Sequence, residues 1–276
     1  MKLKATVLCE NYVLWSHVAL AEHGFSAYLE TDAGNWLMDT GSGKTLLHNA
    51  QALKLDLSAV RGVMLSHNHW DHTGGLLSAL KVGTGAEVYA HPALFRETHH
   101  IEDGEDEPLG IPYTKEELEA AGARFSLSTE FREISPGLWL TGEVPRSSEF
   151  ENDGMRQLIR TGNGEEEDDV SDDQSAVCET EKGLVVILGC CHSGLINTLT
   201  YISEKMGTRR FHAVIGGTHL APASPQTQEK TLEALSSFEI GRIGVSHCSG
   251  IDIVAALKTF YGKDAFYARV GTTLEA

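Results

Sequence analysis

Positive charge is in short supply in this chain. Lysine and arginine number 22 against 39 aspartates and glutamates, a formal net charge of −17 with the histidines neutral. Such a surface repels phosphate backbones and anionic headgroups, so nucleic-acid and membrane partners are disfavoured, and no basic face of the kind a nuclease needs is found. Long apolar runs are missing as well. No stretch approaches the roughly 20 apolar residues of a membrane-spanning helix. The run from Met1 to Glu10 carries two lysines, but its apolar segment is interrupted too soon for a signal peptide. Cysteine is sparse, odd in number and irregularly spaced, at positions 9, 178, 190, 191 and 248, which does not make a disulfide framework. These absences point to a reducing, cytoplasmic home. There is neither a low-complexity linker nor an internal repeat, and 276 residues at 41% hydrophobic content suffice for one sizeable core. The expectation is a single domain over residues 1–276.

What the chain does have is a dense run of metal donors. Ser66-His67-Asn68-His69-Trp70-Asp71-His72-Thr73-Gly74-Gly75 packs three imidazoles and one carboxylate into six residues. The apolar strand Val63-Met64-Leu65 precedes it. Imidazole is the commonest transition-metal ligand, and alternation of His67, His69 and Asp71 past a strand end can aim three donors into one pocket. His72 points elsewhere, so one turn can serve two adjacent ions, the arrangement that polarises a substrate oxygen and activates a water. A solvated polar loop is the competing reading, and histidine clusters beside a buried-strand pattern are seldom accidental.

The rest of the chain alternates strand and helix. Lys4 to Leu8 reads as a first strand, followed by a loop or short helix from Asn11 to Gly24 holding Trp15, His17 and His23, two histidines better read as surface or supporting groups than as ligands. Phe25 to Glu30 and Trp36 to Met38 form a hairpin that delivers Asp39 to a strand end, where it can hold the metal loop or cap a helix. Thr114-Lys115-Glu116-Glu117 fits a capping box. Residues 97–113 and 147–173 lack periodicity and read as irregular loops, the first a candidate flap over an active site. Solvated-loop readings are favoured for His99 and His100, a packed or surface reading for His48, and a non-ligand reading for His91 at its strand end. Arg146, Arg156 and Arg160 could clamp a substrate anion, although exposed arginine on an acidic protein needs no such role.

In the second half, strands at Gly183 to Leu188, Ala213 to Ile215 and Ile243 to Val245 alternate with helices at Leu195 to Met206, Thr227 to Phe238 and Ile253 to Phe260. His192, His219 and His247 lie just past the strand ends, where α/β folds place their chemistry. His219 could be a ligand, a proton donor or a substrate contact. Cys190, Cys191 and Cys248 adjoin these histidines; thiolate is a good soft ligand, but buried packing is the preferred reading.

The motif His67-x-His69-x-Asp71-His72, with the upstream Met38-Asp39-Thr40-Gly41, resembles the signature of the metallo-β-lactamase superfamily. Leu46-Leu47-His48-Asn49-Ala50, Gly189-Cys190-Cys191-His192-Ser193-Gly194, the run from Ala213 to Leu220 and Ser246-His247-Cys248-Ser249-Gly250 resemble one branch. That branch is the 7,8-dihydropterin-6-methyl-4-(β-D-ribofuranosyl)aminobenzene-5'-phosphate synthase family. The resemblance covers almost the whole chain. It implies an αββα sandwich, two mixed β-sheets flanked by helices, with a dinuclear site along one edge. It also implies a metal-dependent hydrolase acting on a small, phosphorylated or pterin-like molecule, with two divalent ions, zinc first and manganese or iron as alternatives. The implied ligands are His67, His69 and His192 on one ion and Asp71, His72 and His247 on the other, with Asp71 and His219 as catalytic groups.

The chain departs from the superfamily pattern in three places. Gly189-Cys190-Cys191-His192 stands where most relatives end a strand with a metal-bridging aspartate, so the bridge is open. Many relatives carry a histidine ligand near Asp173, where this chain has none; Asp173 either fills that place or orients a ligand. Asn68 and Trp70 replace the branch's usual Gly and Tyr, which alters the pocket. An iron-dependent redox enzyme of the same fold and a non-catalytic metal-stabilised sensing or binding module are the alternatives.

Overall fold

The computed structural model describes residues 1–13, 18–83, 86–102, 105–151, 157–162 and 164–276. Trp15, His17 and Arg156 lie outside the described residues.

Alternation along the strands builds four layers. In the strand Gly183–Leu188, Val185 and Ile187 face one apolar cluster, while Leu184, Val186 and Leu188 face another. Both faces are therefore covered, as a continuous apolar strand requires. Trp36 and Met38 likewise point to the shared inner cluster, and Leu37, Val63 and Leu65 to the outer one on their side. The inner cluster joins two seven-stranded sheets. The first runs in the order Thr273–Glu275, Leu3–Cys9, Ser26–Thr31, Gly34–Met38, Val60–Met64, Glu87–Ala90, Arg124–Leu127. The second runs Ala265–Tyr267, Glu239–Ser246, Arg210–Gly217, Gly183–Leu188, Ala176–Thr180, Leu138–Leu140, Arg132–Ser135. Each sheet mixes parallel and antiparallel pairs.

The helices lie on the outer faces. Leu46–Ala52, Leu76–Val82 and Lys115–Ala120 cover the first sheet through Leu46, Leu76, Leu80 and Leu118. Leu195–Met206 and Ile251–Tyr261 cover the second through Leu195, Leu199, Ile253 and Leu257. The expected αββα sandwich is what is observed. The capping box at Thr114 and Glu117 is present with both reciprocal bonds.

The two segments expected to be irregular differ from that expectation. Each contributes a strand pair to a third sheet, in the order Gly164–Asp168, Gln157–Thr161, Glu97–Glu102, Glu105–Pro108. Their strands are too charged to show an apolar alternation, and the ladder joins residues far apart in sequence, such as Leu158 and His99. Arg96 fastens this sheet to the sandwich: its Nε donates to Asp168 Oδ2 at 2.7 Å and its Nη2 to Asp172 Oδ1 at 2.6 Å. Asp168 and Asp172 are almost fully buried, so an Arg96→Ala protein keeps two carboxylates with no cation. A loss of about 2 kcal/mol is expected after allowing for the partial exposure of the arginine. Urea unfolding measures it, and an unchanged midpoint would show that the third sheet is held by its backbone ladder alone.

Candidate metal centre

Four strand ends turn inward at one edge of the sandwich, and their backbones are strained where they do so. Among the described residues, six non-glycine residues have positive φ, and four of them sit at these ends: Asp39 at 57°, Cys191 at 62°, His219 at 48° and His247 at 52°. Left-handed backbone is costly for such residues and tends to gather at functional sites. The two halves of the chain meet closely here. A Cβ added at Gly189 would lie 2.1 Å from Ser66 Oγ and 2.8 Å from Asp39 Oδ2, so only glycine lets the second sheet's loop reach the His67–His72 turn.

All six residues expected as ligands converge. His67, His69 and His192 offer nitrogens that lie within 4.8 Å of one another. Beside them, His247 Nε2 lies 3.1 Å from Asp71 Oδ2 and 3.3 Å from His72 Nε2, and His72 Nε2 lies 3.7 Å from Asp71 Oδ2. All six are buried.

The hydrogen bonds behind these rings fix what their inner faces present. Gln157 Oε1 accepts from His69 Nε2 at 2.7 Å, Asp39 Oδ2 accepts from His72 Nδ1 at 2.7 Å, and Asn11 Oδ1 accepts from His247 Nδ1 at 2.9 Å. Ser66 Oγ donates to Asp39 Oδ2 at 2.7 Å, which leaves its lone pairs for the proton on His67 Nδ1 at 2.8 Å. With those protons placed outward, the inward nitrogens carry lone pairs. His67 Nε2 then faces His69 Nδ1 at 3.0 Å and His72 Nε2 faces His247 Nε2 at 3.3 Å. Lone pairs in such opposition repel unless a cation or a proton lies between them, so the donor set fits metal ions.

The electrostatics agree. Burial, helped by the neighbouring imidazoles, pushes His67 and His192 well below the usual histidine range, and burial takes His69 down to about 4, which keeps all three neutral and able to coordinate. Burial would raise Asp71, but His72, His23 and His247 hold it well below the usual carboxylate range. His72 goes the other way: against the effect of burial, the Asp71 and Asp39 carboxylates raise it to about 9. Without metal it holds a proton that an incoming cation must displace.

The other expected residues fall into place around this core. Asp39 is fully buried and accepts from Ser66 N at 2.7 Å as well as from His72 and Ser66 Oγ, so it holds the His72 ring and the start of the His67–His72 turn from behind. Asp173 joins none of the converging donor groups among the described residues; its Oδ2 accepts from Ser193 N at 3.0 Å and so steadies the turn after His192. His219 packs on His192 with ring centroids 4.2 Å apart. His91 caps a helical turn through Ala93 N, and His99 pairs with Asp106, so neither joins the centre. Arg146 Nη1 donates to the His192 carbonyl at 2.8 Å, and Arg160 is engaged by Glu97 and Asp106. Neither is a free anion clamp.

One expectation needs correction. Cys190 is buried and Cys248 part-buried, but they face the centre: Cys190 Sγ donates to Cys248 Sγ at 2.8 Å and lies 3.2 Å from His219 Nδ1. Only Cys191 packs as a small hydrophobe, in the core of the second sheet's outer face. His23, read as a surface or supporting group, has its Nε2 3.3 Å from Asp71 Oδ2 with its side chain 61% exposed, so it supports Asp71 from the surface. Glu10, Asn11 and Gln157 escaped sequence reasoning altogether. Glu10 Oε1 accepts from His247 N at 2.7 Å and from Tyr267 Oη at 2.6 Å, locking the His247 turn. A lone Glu-Asn pair after a strand carries no spacing signal, and Gln157 reaches His69 only through the third sheet.

Asp173 offers a stability test. Burial raises its carboxyl to about 6. The folded state then holds a proton that the unfolded state has released, so this group costs stability progressively as pH rises from about 4 to about 6, and the cost is complete above that. Metal-free Asp173→Asn protein is expected to be more stable at pH 7 by about 1–3 kcal/mol, with no gain at pH 4. Thermal melts at the two pH values check this; a variant less stable at pH 7 would show that the bond to Ser193 outweighs the burial cost.

Comparison with known proteins follows the same lines. The model of the metallo-beta-lactamase superfamily matches residues 21–161. The chain is 30% identical over 258 residues to the 7,8-dihydropterin-6-methyl-4-(beta-D-ribofuranosyl)-aminobenzene-5'-phosphate synthase of Methanocaldococcus jannaschii, covering 90% of this chain and 88% of that one. Among solved structures, it is similar to a metal-dependent hydrolase of the beta-lactamase superfamily, with a TM-score of 0.84, 26% identity and 99% of each chain covered. The zinc-bound PqqB of Methylobacterium extorquens shares the fold at a TM-score of 0.60 and 15% identity, over 99% of this chain and 100% of that one.

Proposed function

The chain belongs to the metallo-beta-lactamase superfamily, and from that premise we propose that it is a metal-dependent hydrolase with a dinuclear site, acting on a small phosphorylated or pterin-like molecule. The observation that carries the reading is the opposition of imidazole lone pairs at His67 Nε2 and His69 Nδ1, with each ring's other nitrogen committed to Ser66 or Gln157. His67, His69 and His192 would hold one ion, and Asp71, His72 and His247 the other. When bound, such a pair supplies Lewis acidity to a carbonyl or phosphoryl oxygen and an activated water.

The protein's own groups do the rest. Asp39 and Ser66 keep His67 and His72 in the ligating tautomer. Burial of the donors excludes bulk water and strengthens every charge interaction in the site. His219, stacked on His192, is the group assigned to carry a proton to the leaving group, a role imidazole fills near neutral pH. A cavity of about 890 Å³ borders the ligand turn at Trp70 and is walled by Phe95, Ile111 and Tyr113, with none of the six donors in its lining. Its aromatic walls suit a flat ring, in keeping with the pterin named for the Methanocaldococcus relative.

Elemental analysis of protein purified without added metal, coupled to assays on phosphodiester, ester and thioester panels, tests the proposal. About two zinc or manganese ions per chain with hydrolysis of any panel member supports it. Iron with oxygen- or thiol-dependent turnover would replace it with the redox alternative, and metal-replete protein inert on every panel would revive the binding-module reading.

A further inference from the structure

We propose that the Cys190 thiolate bridges the two metal ions, a role no carboxylate among the described residues is placed to take between the two ligand trios. The inference rests on the dinuclear reading above and adds to it the identity of the shared ligand.

The geometry singles out this side chain. Cys190 Sγ belongs to three of the converging donor groups: with His67 and His72, with His192 and His219, and with His247 and Cys248, each group within 4.8 Å. His67 and His192 belong to one trio, His72 and His247 to the other. Among the described residues, Cys190 is the one side chain outside the two trios that reaches donors of both, and Asp71, the one carboxylate in those groups, appears only with His23 and His247. The position is built for sulfur. A Cβ added at Gly217 would come 2.7 Å from Cys248 Sγ and 3.2 Å from Cys190 Cα, so the bare backbone of that glycine makes room for the Cys248 thiol and for the Cys190 backbone beside it. Gly189, immediately before Cys190, is the residue whose missing side chain lets the loop press against Ser66 and Asp39. Cys190 is itself buried, so its donor atom is sheltered from solvent and aimed at the imidazoles rather than at the surface.

Coordination requires the thiolate, so Cys190 gives up its proton to solvent as the ions enter. A sulfur bridge also changes which ions the site prefers. Soft thiolate favours zinc, iron and cobalt over manganese and magnesium, which prefer oxygen. Cys248, donor-close to Cys190 and to the His247 side, is then a neighbour whose thiol donates a hydrogen bond to the bridging sulfur, and it does not reach the first trio.

The test is optical and needs no substrate. Metal-free protein is titrated with cobalt(II) under reducing, oxygen-free conditions, and the near-ultraviolet thiolate-to-cobalt charge-transfer band is followed. The proposal predicts a band that grows with both the first and the second equivalent. Cys190→Asp is expected to keep both cobalt ions and lose the band, because a carboxylate can bridge without sulfur. Cys190→Ala should bind at least one of the two ions about 10-fold or more weakly. Cys248→Ala should retain a band that still grows over both equivalents. A band that saturates at the first equivalent, a band that survives in Cys190→Asp, or two tightly bound cobalt ions with no band at all would overturn the bridge while leaving the dinuclear reading intact. Failure of the wild-type protein to take up a second cobalt would overturn both.

Discussion

A His69→Ala protein is expected to lose one of its bound metal ions and at least about 10³-fold of its turnover, since a catalytic ion contributes several kcal/mol to the transition state and each 1.4 kcal/mol is tenfold in rate. His69 is buried, and its Nδ1 stands 3.0 Å from His67 Nε2. Truncation removes one of three nitrogens from the first trio and leaves the Gln157 amide oxygen without its donor. Asp71→Ala should act in the same direction from the other side of the site, because it takes away the carboxylate that faces His23, His72 and His247 together. Elemental analysis and steady-state kinetics on each variant measure the two effects. Full metal occupancy with full turnover in both proteins would refute the ligand scheme.

Asp39 carries the second large effect. Its carboxylate is fully buried and accepts from Ser66 N, Ser66 Oγ and His72 Nδ1, all at 2.7 Å. Asp39→Ala leaves His72, protonated up to about pH 9 in the metal-free protein, without one of its two compensating carboxylates. A loss of about 3–5 kcal/mol of stability is expected, as for a broken buried pair. Asp39→Asn separates orientation from stability. Asparagine tolerates the left-handed backbone at this position. Its amide nitrogen cannot accept the His72 Nδ1 proton, so His72 is driven to the tautomer that carries hydrogen on Nε2. Metal affinity should fall about 10- to 100-fold while the fold survives. Chemical unfolding and metal titration separate the two outcomes; an Asn variant with unchanged affinity would show that Asp39 serves the loop and not the imidazole.

How much of this could be read from the sequence depends on the range of each interaction. The His67–His72 turn is a local pattern after an apolar strand, and local patterns survive into the fold unchanged. The same holds for His192, His219 and His247, each within four residues of the end of a strand whose burial on both faces is visible in its composition. The αββα layers were implied by the family resemblance, with which the alternation of strands and helices is compatible. Long-range pairing was hidden. Glu97–Glu102 and Gly164–Asp168 are strands in spite of their charge, because the ladder with Gln157–Thr161 is made by backbone groups that every residue possesses. Gln157 reaches His69 only through that ladder, so nothing near it in sequence marks it. Cys190 and Cys248 misled for another reason: burial was expected and is complete only for Cys190, and a strand-end thiol is buried equally well against a core or against a metal site. Only the register that brings Cys190 Sγ and Cys248 Sγ within 2.8 Å beside the histidines distinguishes the two.

The central claim is that two metal ions sit between the two trios of donors. Anomalous scattering from crystals of zinc-loaded protein tests it most directly, because it locates each ion without reference to activity. The account predicts two peaks of comparable height in every chain, one amid His67, His69 and His192 and the other amid Asp71, His72 and His247. A single peak at full zinc loading, or peaks lying away from these histidines, would contradict it.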